Sequence, residues 1–493
     1  MKELTLTKIA EVCHGTLVGQ NLHPEKTVSS VVIDSRLVEA EGLFVAIPGE
    51  RVDGHSFVKS VLEKGALGAL VERIPEDLLL ENGEPNPELL PGGLIQVEST
   101  TQALKDLAGF YRSVLDIKVV GITGSVGKTS TKETIAAVLS QKYNVLKTAG
   151  NFNNEIGLPL TVFRIRDEHQ VAVLEMGISD FGEMDRLAKI AKPDIGVITN
   201  IGTCHLENLG DRDGVLKEKS CMLKFLQPGG VAVLNGDDDK LSTLQNRFKE
   251  VVGVEPVKLD FFGVREEGVT ELLPTADLKA YATDIENLGL DGVAMKLQVL
   301  KSEQTGENGQ AAFDAKISIP GRHNVYNALA ATCVGLELGL SIEEIQKGLA
   351  EAKTIQGRTN LIHHQDMILI DDCYNANPMS MKEALHVLEN ATGRKIAVLG
   401  DMGELGEREA ELHGEVGEAF VASTVDTAFL AGKLMKNFEE KAKALAPQKE
   451  VYYFESREEM TKALLSYVKP GDAVLVKASH FMEFPKVLEA LQN

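Results

Sequence analysis

The chain has 493 residues, with 51 basic against 73 acidic side chains, a formal charge of −22, and 43% hydrophobic residues. At roughly 100–200 residues per domain, that length predicts two to four domains, each able to bury its own core, and disfavours disorder. The negative balance disfavours a protein that wraps nucleic acid or lies on an anionic membrane, since both need a positive field, so no nucleic-acid partner is expected.

No run of about 18 apolar residues occurs. Met1 to Gln20 is broken by Lys2, Glu3, Lys8, Glu11 and His14, so neither a spanning helix nor a signal segment is expected, and a cytoplasmic location is. The five cysteines (Cys13, Cys204, Cys221, Cys333 and Cys373) are widely spaced and contain no CxxC pair, which argues for reduced thiols. With no tryptophan and 5% aromatics, no stacking platform for single-stranded nucleic acid suggests itself.

In chain order, the first 110 residues mix short β-like runs (31–33, 43–47, 67–71, 94–97) with helical stretches at 57–64 and 101–115, and residues 74–93 read as a surface loop. From Lys118 strands alternate with amphipathic helices, the signature of a parallel sheet covered on both faces. Candidate strands 118–123, 171–175, 195–200 and 231–235 each end on a polar residue. In an open α/β sheet the ligand crevice lies beyond the carboxyl ends of the strands, so chemistry is expected there. Residues 301–310 (KSEQTGENGQ) read as a hairpin turn between alternating runs 294–300 and 311–319. A further α/β series follows a boundary near Lys353, with strands at 367–370, 395–399, 427–430, 451–454 and 473–476.

The segment GITGSVGKTST (121–131) joins an apolar strand to a helix-forming run, 132–142. Glycines at 124 and 127 let backbone N–H groups converge on phosphate, Lys128 reaches the β- and γ-phosphates, and Thr129 binds Mg²⁺, which predicts a nucleoside triphosphate site. The full pattern has Gly where this chain has Ile122, and the competing reading is a Gly-rich turn without a ligand. Glu175 ends the run VAVLE, where an acid can hold the nucleotide's Mg²⁺ or simply face solvent. His205, in TNIGTCHLE (199–207), lies just past a strand end and is informative only by that position. By composition Lys219 is one cation on an amphipathic helix face. The stretch PGRHNVYNA (320–328) precedes a small-residue helix, 328–338. In DDCYNANP (371–378) two acids and two amides on a tight turn either cap the next helix or face a ligand. GDMGELG (400–406) follows a strand but is not GxGxxG.

Together these residues resemble the Mur ligase family. The resemblance runs in order through DSR (34–36), GLFVA (42–46), DGH (53–55), TGSVGKTS (123–130), GNFNNEIGLP (150–159), LEMG (174–177), NIGTCHLE (200–207), NGDD (235–238), PGRHN (320–324), GR (357–358) and DDCYNANP. It implies an α/β protein of three domains: a UDP-sugar-binding domain (1–112), a central P-loop, parallel-sheet ATPase domain (113–352) and a C-terminal Rossmann-like domain for the amine substrate (353–493). The YNANP turn and GDMGELG resemble the member that joins D-alanyl-D-alanine to UDP-N-acetylmuramoyl-tripeptide (UDP-MurNAc-tripeptide), and the DNPR signature of the diamino-acid-adding member is not present.

Carried over residue by residue, the resemblance implies that Lys128, Glu175, His205 and Lys219 are catalytic. Gly124, Ser125, Gly127, Lys128, Thr129, Ser130, Asn324, Asn327, Arg358 and Asp372 would bind ATP. Ser35, Arg36, Asn153, Asn154, Asn375 and Asn377 would bind substrates. Thr129, Glu175, His205 and Lys219 would hold Mg²⁺, two ions in all, with Lys219 matching a lysine carried by many members as a carbamate. Cys221 stands where an acid is expected, and KASH (477–480) replaces the expected KGSR, so 477–480 receive no role. A monomer is expected. Two alternatives stay open: a sibling ligase using another amine, such as a diamino-acid or folate-polyglutamate ligase, and a P-loop switch or assembly factor that ligates nothing.

Overall fold

The computed structural model describes the whole chain except residues 20–24, 50–51, 91–92, 267–270 and 301–308. Three sheets follow one another along the sequence. The first contains β1 (Thr16–Val18), β2 (Val31–Val32), β3 (Leu43–Val45), β4 (Gly68–Val71) and β5 (Gly93–Gln96), in the order β1-β5-β4-β3-β2. Only β1 runs antiparallel to its neighbour.

The central sheet contains β6 (Lys118–Thr123), β7 (Val145–Lys147), β8 (Val171–Glu175), β9 (Ile195–Ile198), β10 (Val231–Asn235), β11 (Lys258–Val264), β12 (Leu278–Asn287), β13 (Val293–Leu300) and β14 (Gln310–Ile317). Its order is β14-β13-β12-β11-β10-β9-β6-β8-β7. The strands from β7 across to β12 are parallel, and β12, β13 and β14 form an antiparallel margin. The expected hairpin is present as the pairing of Leu300 with Gln310 through Val293 with Ile317, while its turn, expected at 301–310, falls outside the described residues over 301–308.

The order in which successive strands are added reverses at β6, which has β8 on one side and β9 on the other. That is the switch point at which open α/β sheets open a crevice. Register fixes what meets there: Ile122 lies opposite Glu175, and Thr123 opposite Ile198. The loops after β6, β8 and β9 therefore leave the sheet side by side.

The third sheet contains β15 (Asn360–His364), β16 (Met367–Asp371), β17 (Lys395–Gly400), β18 (Thr427–Ala431), β19 (Glu450–Phe454) and β20 (Ala473–Lys477), in the order β15-β16-β20-β17-β18-β19. Asp371 lies opposite Val476, and Leu399 opposite Lys477, so the turns after β16, β17 and β20 also emerge together.

Two apolar layers cover the central sheet. One is continuous with the core of the first sheet through the helix Thr100–Ser113, whose Tyr111 hydroxyl donates to Ile165 O at 2.8 Å. The other is filled by the helix Asn324–Glu337, where the run Ala328–Leu336 is buried on all sides, as expected of a helix enclosed between other elements. Full burial of a side chain such as Leu329 or Val334 contributes ~1.5–3 kcal/mol.

Two helix starts differ from the sequence reading. The helix after the Gly-rich turn spans Lys128–Leu139 rather than 132–142, and the small-residue helix begins at Asn324 rather than 328. In both, the polar first turn looks like loop in sequence yet provides the N–H groups of a helix start. Among the described residues no helix is long and apolar enough to cross a membrane.

Candidate active site

The turn after β6 depends on two glycines. Gly124 has φ +151°, and a Cβ built on it would lie 1.9 Å from Thr199 Oγ1. Gly127 takes φ +83° as the residue that starts the helix Lys128–Leu139. Only glycine adopts both conformations without steric penalty. Ile122 needs no such freedom, because at 122 the chain is still inside β6 and the side chain packs fully buried in the core. The departure from the pattern thus falls before the turn begins.

The loop after β9 holds this turn in place. Val126 N–H donates to Asn200 Oδ1 at 3.0 Å, Thr199 Oγ1 and Asn200 Nδ2 donate to Val126 O at 2.7 and 2.9 Å, and Gly202 N–H donates to Ser125 Oγ at 2.8 Å. Lys128 Nζ donates to Gly124 O at 2.8 Å. These hydrogen bonds fix the cradle, with the positive end of a helix beneath it.

Behind the cradle lies Glu175, 2% exposed. Its Oε1 accepts from Thr129 Oγ1 at 3.1 Å and from Asn153 Nδ2 at 2.9 Å, while Oε2 has no hydrogen-bond partner and lies 3.6 Å from Lys132 Nζ. Asn154 turns the other way, its Oδ1 accepting from Gly157 N–H at 2.8 Å.

Lys219 is not on a solvated helix face. It is fully buried on the helix Arg212–Ser220, and its Nζ has no hydrogen-bond partner. Burial lowers its pKa to about 8, with the nearby Lys128 cation acting in the same direction and Cys204 opposing. The amphipathic reading fails because the helix is enclosed by its neighbours Glu183–Ala191, Leu206–Leu209, Cys221–Phe225 and Leu244–Val252, and the residues from Glu218 to Ser220 are all buried.

The first turn of Asn324–Glu337 packs against the cradle's helix. Thr131 Oγ1 donates to Asn327 Oδ1 at 2.7 Å, Asn327 Nδ2 donates to Asn324 Oδ1 at 2.7 Å, and Asn324 Nδ2 donates to Pro320 O at 2.9 Å. Asn327 lines the cleft, and fully buried Asn324 stands behind it.

The C-terminal part supplies the opposite wall. Asp372 Oδ1 accepts from Thr359 N–H at 3.1 Å, and Asp371 Oδ2 accepts from Gly357 N–H at 2.7 Å, which ties Arg358 to the end of β16. The Arg358 guanidinium stacks on Tyr374, 4.0 Å from its ring centroid. Asn377 caps the helix Pro378–Glu389 by accepting from Ser380 N–H at 2.9 Å, and Asn375 Oδ1 accepts from Ala376 N–H at 2.9 Å. Lys477 Nζ, buried, donates to Asp372 Oδ2 at 2.7 Å and to Asn375 O at 2.9 Å.

These walls enclose one cleft of about 910 Å³. Of the residues singled out in the sequence, Ser125, Gly127, Lys128, Thr129, Ser130, His205, Asn327, Arg358, Asp372, Asn375 and Asn377 line it. Glu175 joins through Thr129, and Asn153 through Glu175. Ser35 and Arg36 lie elsewhere, on the N-terminal part, with the exposed Arg36 guanidinium paired to Asp34 at 2.6 Å. His205 pairs with Glu404 rather than with Glu175.

Among the described residues, no three His, Cys, Asp or Glu side chains gather as a protein-only metal shell. Of the set Thr129, Glu175, His205 and Lys219, Thr129 and Glu175 are hydrogen-bonded to each other, while His205 pairs with Glu404 and the Lys219 ammonium has no hydrogen-bond partner. Mg²⁺ bound to a nucleotide needs only one or two carboxylates, with phosphate and water oxygens completing its octahedron. The unpartnered, buried Glu175 Oε2 beside the Thr129 hydroxyl fits that requirement. Lys132 is not singled out in the sequence, and Lys477, in the KASH stretch, receives no role there. Lys477 ends the apolar run AVLV, so the polar-strand-end rule that located Glu175 also reaches it.

Three α/β domains, the second and third of which line a P-loop cleft, define a nucleotide-utilising P-loop protein. The Mur ligase family catalytic domain matches residues 27–112, the Mur ligase middle domain 122–335, and the Mur ligase, glutamate ligase domain 357–480. The chain belongs to the Mur ligase family. It is 35% identical over its full length to the UDP-N-acetylmuramoyl-tripeptide--D-alanyl-D-alanine ligase of Bacillus subtilis, covering 99% of that protein. It is 34% identical to the ligase of the same name from Escherichia coli, over 88% of this chain and 87% of that one. MurF from Acinetobacter baumannii superposes with a TM-score of 0.81 at 30% identity, over 99% of this chain and 98% of that one. MurF ligase from Thermotoga maritima in complex with ADP gives 0.75 at 30% identity, over 94% and 97%.

Proposed function

We propose that this chain joins D-alanyl-D-alanine to UDP-MurNAc-tripeptide at the expense of ATP, in the cytoplasmic synthesis of peptidoglycan precursors. The observation that carries the reading is the single cleft in which the Lys128 cradle faces the Arg358, Asp372 and Asn375 wall. Similarity to ligases of that name, over the full length of this chain in one case and 88% of it in another, supports the choice of substrates.

A peptide carboxylate is a poor electrophile and must be activated before an amine can displace oxygen from it. Its oxygen attacks the γ-phosphorus of ATP, the bond from that phosphorus to the bridging oxygen breaks, and ADP leaves behind an acyl phosphate. The free amine of the dipeptide then attacks the acyl carbon, loses a proton, and expels inorganic phosphate. Such transfers need positioning and charge neutralisation more than covalent help from the protein. Backbone N–H groups of 124–130 and the Lys128 ammonium neutralise the phosphates. Asn327, Arg358 and Asp372 contact the nucleotide, while Asn375 and Asn377 face the incoming amine.

Thr129, Glu175, His205 and Lys219 would hold two Mg²⁺ ions, which screen phosphate charge and polarise the γ-phosphoryl group. Lys219 suits this role as a carbamate. Its amine is buried without a partner and held at about pKa 8, so a neutral nitrogen is available to add to CO₂ with loss of a proton. The change replaces a cation close to Lys128 with an anionic oxygen ligand. Residues 1–112, including Ser35 and Arg36, bind the UDP-sugar end, with Asn153 and Asn154 along the peptide's path. Residues 113–352 carry ATP, and residues 353–493 bring the dipeptide.

Mass detection of the UDP-linked pentapeptide from UDP-MurNAc-tripeptide, D-Ala-D-Ala and Mg-ATP tests this reading. Product is expected with the wild type and not with Lys128→Ala. Equal ATP hydrolysis with and without both acceptors, and no product, would favour a nucleotide switch.

A further inference from the structure

The GDMGELG stretch has no part in the chemistry above, yet the fold holds it firmly. Asp401 Oδ1 accepts from the N–H groups of Leu434 and Met435 at 3.0 and 2.9 Å. Fully buried His413 accepts the Met402 N–H on Nε2 at 2.9 Å, and Ser479 Oγ accepts the Gly403 N–H at 2.9 Å. The next residue, Glu404, takes φ +60°, uncommon for a residue with a side chain. Its carboxylate Oε2 lies 2.7 Å from Nδ1 of His205, itself at φ +55°. Both residues line the cleft.

The two belong to different domains, so the contact crosses the interface. On the central side, His205 extends the loop whose Asn200 and Gly202 hold the phosphate cradle. A carboxylate can only accept, so this geometry places a proton on Nδ1 and leaves Nε2 of the neutral ring as an acceptor. Among the described residues Nε2 has no hydrogen bond. Metal-bound histidines are generally oriented by such a carboxylate on the other nitrogen.

We propose that Glu404 is a positioning residue for His205: the C-terminal domain delivers a carboxylate that fixes the Nδ1 proton and ring orientation, so Nε2 is presented to the metal end of the cleft when the domains are docked. The inference rests on the assignment of His205 as a metal ligand. A second imidazole–carboxylate pair, His323 Nδ1 with Glu383 Oε2 at 3.2 Å, also joins the two domains but does not touch His205, and it separates ring positioning from docking alone.

The test uses the full chain, a non-hydrolysable ATP analogue and Mn²⁺ followed by electron paramagnetic resonance, with ¹⁴N hyperfine coupling reporting a bound imidazole. Wild type is expected to show the coupling, and His205→Ala to lose it. Glu404→Gln, isosteric at a largely exposed side chain, is expected to weaken Mn²⁺ about 10–100-fold, whereas Glu383→Gln keeps wild-type affinity. Wild-type affinity in Glu404→Gln, or equal losses in the two glutamine variants, overturns the positioning role. If His205→Ala retains the coupling, the ligand assignment itself falls, and the inference with it.

Discussion

Lys477 Nζ donates to Asp372 Oδ2 at 2.7 Å, and the two side chains are 2% and 12% exposed. The pair closes the C-terminal wall of the cleft, because the same ammonium also donates to Asn375 O at 2.9 Å and so fixes the turn that carries Asn375 and Asn377. Removing one member of a buried pair leaves the other charge uncompensated, at ~3–5 kcal/mol. Lys477→Met is therefore expected to speed amide exchange across β16 and β20. Exchange at the wild-type rate would show that the pair does not hold this wall.

Gly124→Ala places a methyl carbon on Thr199 Oγ1 in a conformation unfavourable to alanine. The cradle must then open, and titration calorimetry with ADP is expected to show at least ~10-fold weaker binding, since one poorly placed phosphate contact is worth ~1.4 kcal/mol or more.

Arg358→Lys keeps the charge but loses the planar stack on Tyr374. The expected result is a raised KM for ATP with little change in folding, read from initial rates and thermal melts.

Lys219 gives a pH signature. Burial holds its ammonium at about 8 against an ordinary 10.5, so between those values the unfolded chain binds more protons than the folded one. Stability from this group therefore rises as pH increases through that window, and its cost is complete below it. In CO₂-free buffer, Lys219→Met is expected to raise the melting temperature more at about pH 7 than at about pH 10. Bicarbonate is expected to raise the activity of CO₂-depleted wild type and to leave Lys219→Met inactive. Equal melting shifts at both pH values would contradict this assignment.

Strand ends and glycine turns were legible because each follows from local chemistry: apolar runs stop at Thr123, Glu175 and Asn235, and the chain turns at Gly124 and Gly127. Lys219 was not legible, since its helix carries polar neighbours and it is buried by elements distant from it in sequence, including the helices Glu183–Ala191 and Leu244–Val252. Lys477 could be located as a polar strand end, but its pairing was not legible, its partner Asp372 lying 105 residues away in sequence. The role of Glu404 depends on contact between domains, which no local pattern encodes. The pairing of β11 with β12 was likewise unread, because their hydrophobic residues are mixed with charge at Lys258, Asp260 and Lys279.

The most direct test of the account follows oxygen. With ¹⁸O in the terminal carboxylate of UDP-MurNAc-tripeptide, turnover with ATP and D-Ala-D-Ala is expected to deliver one labelled oxygen into each inorganic phosphate released. Phosphate free of label alongside amide product would contradict activation of the carboxylate by phosphoryl transfer in this cleft.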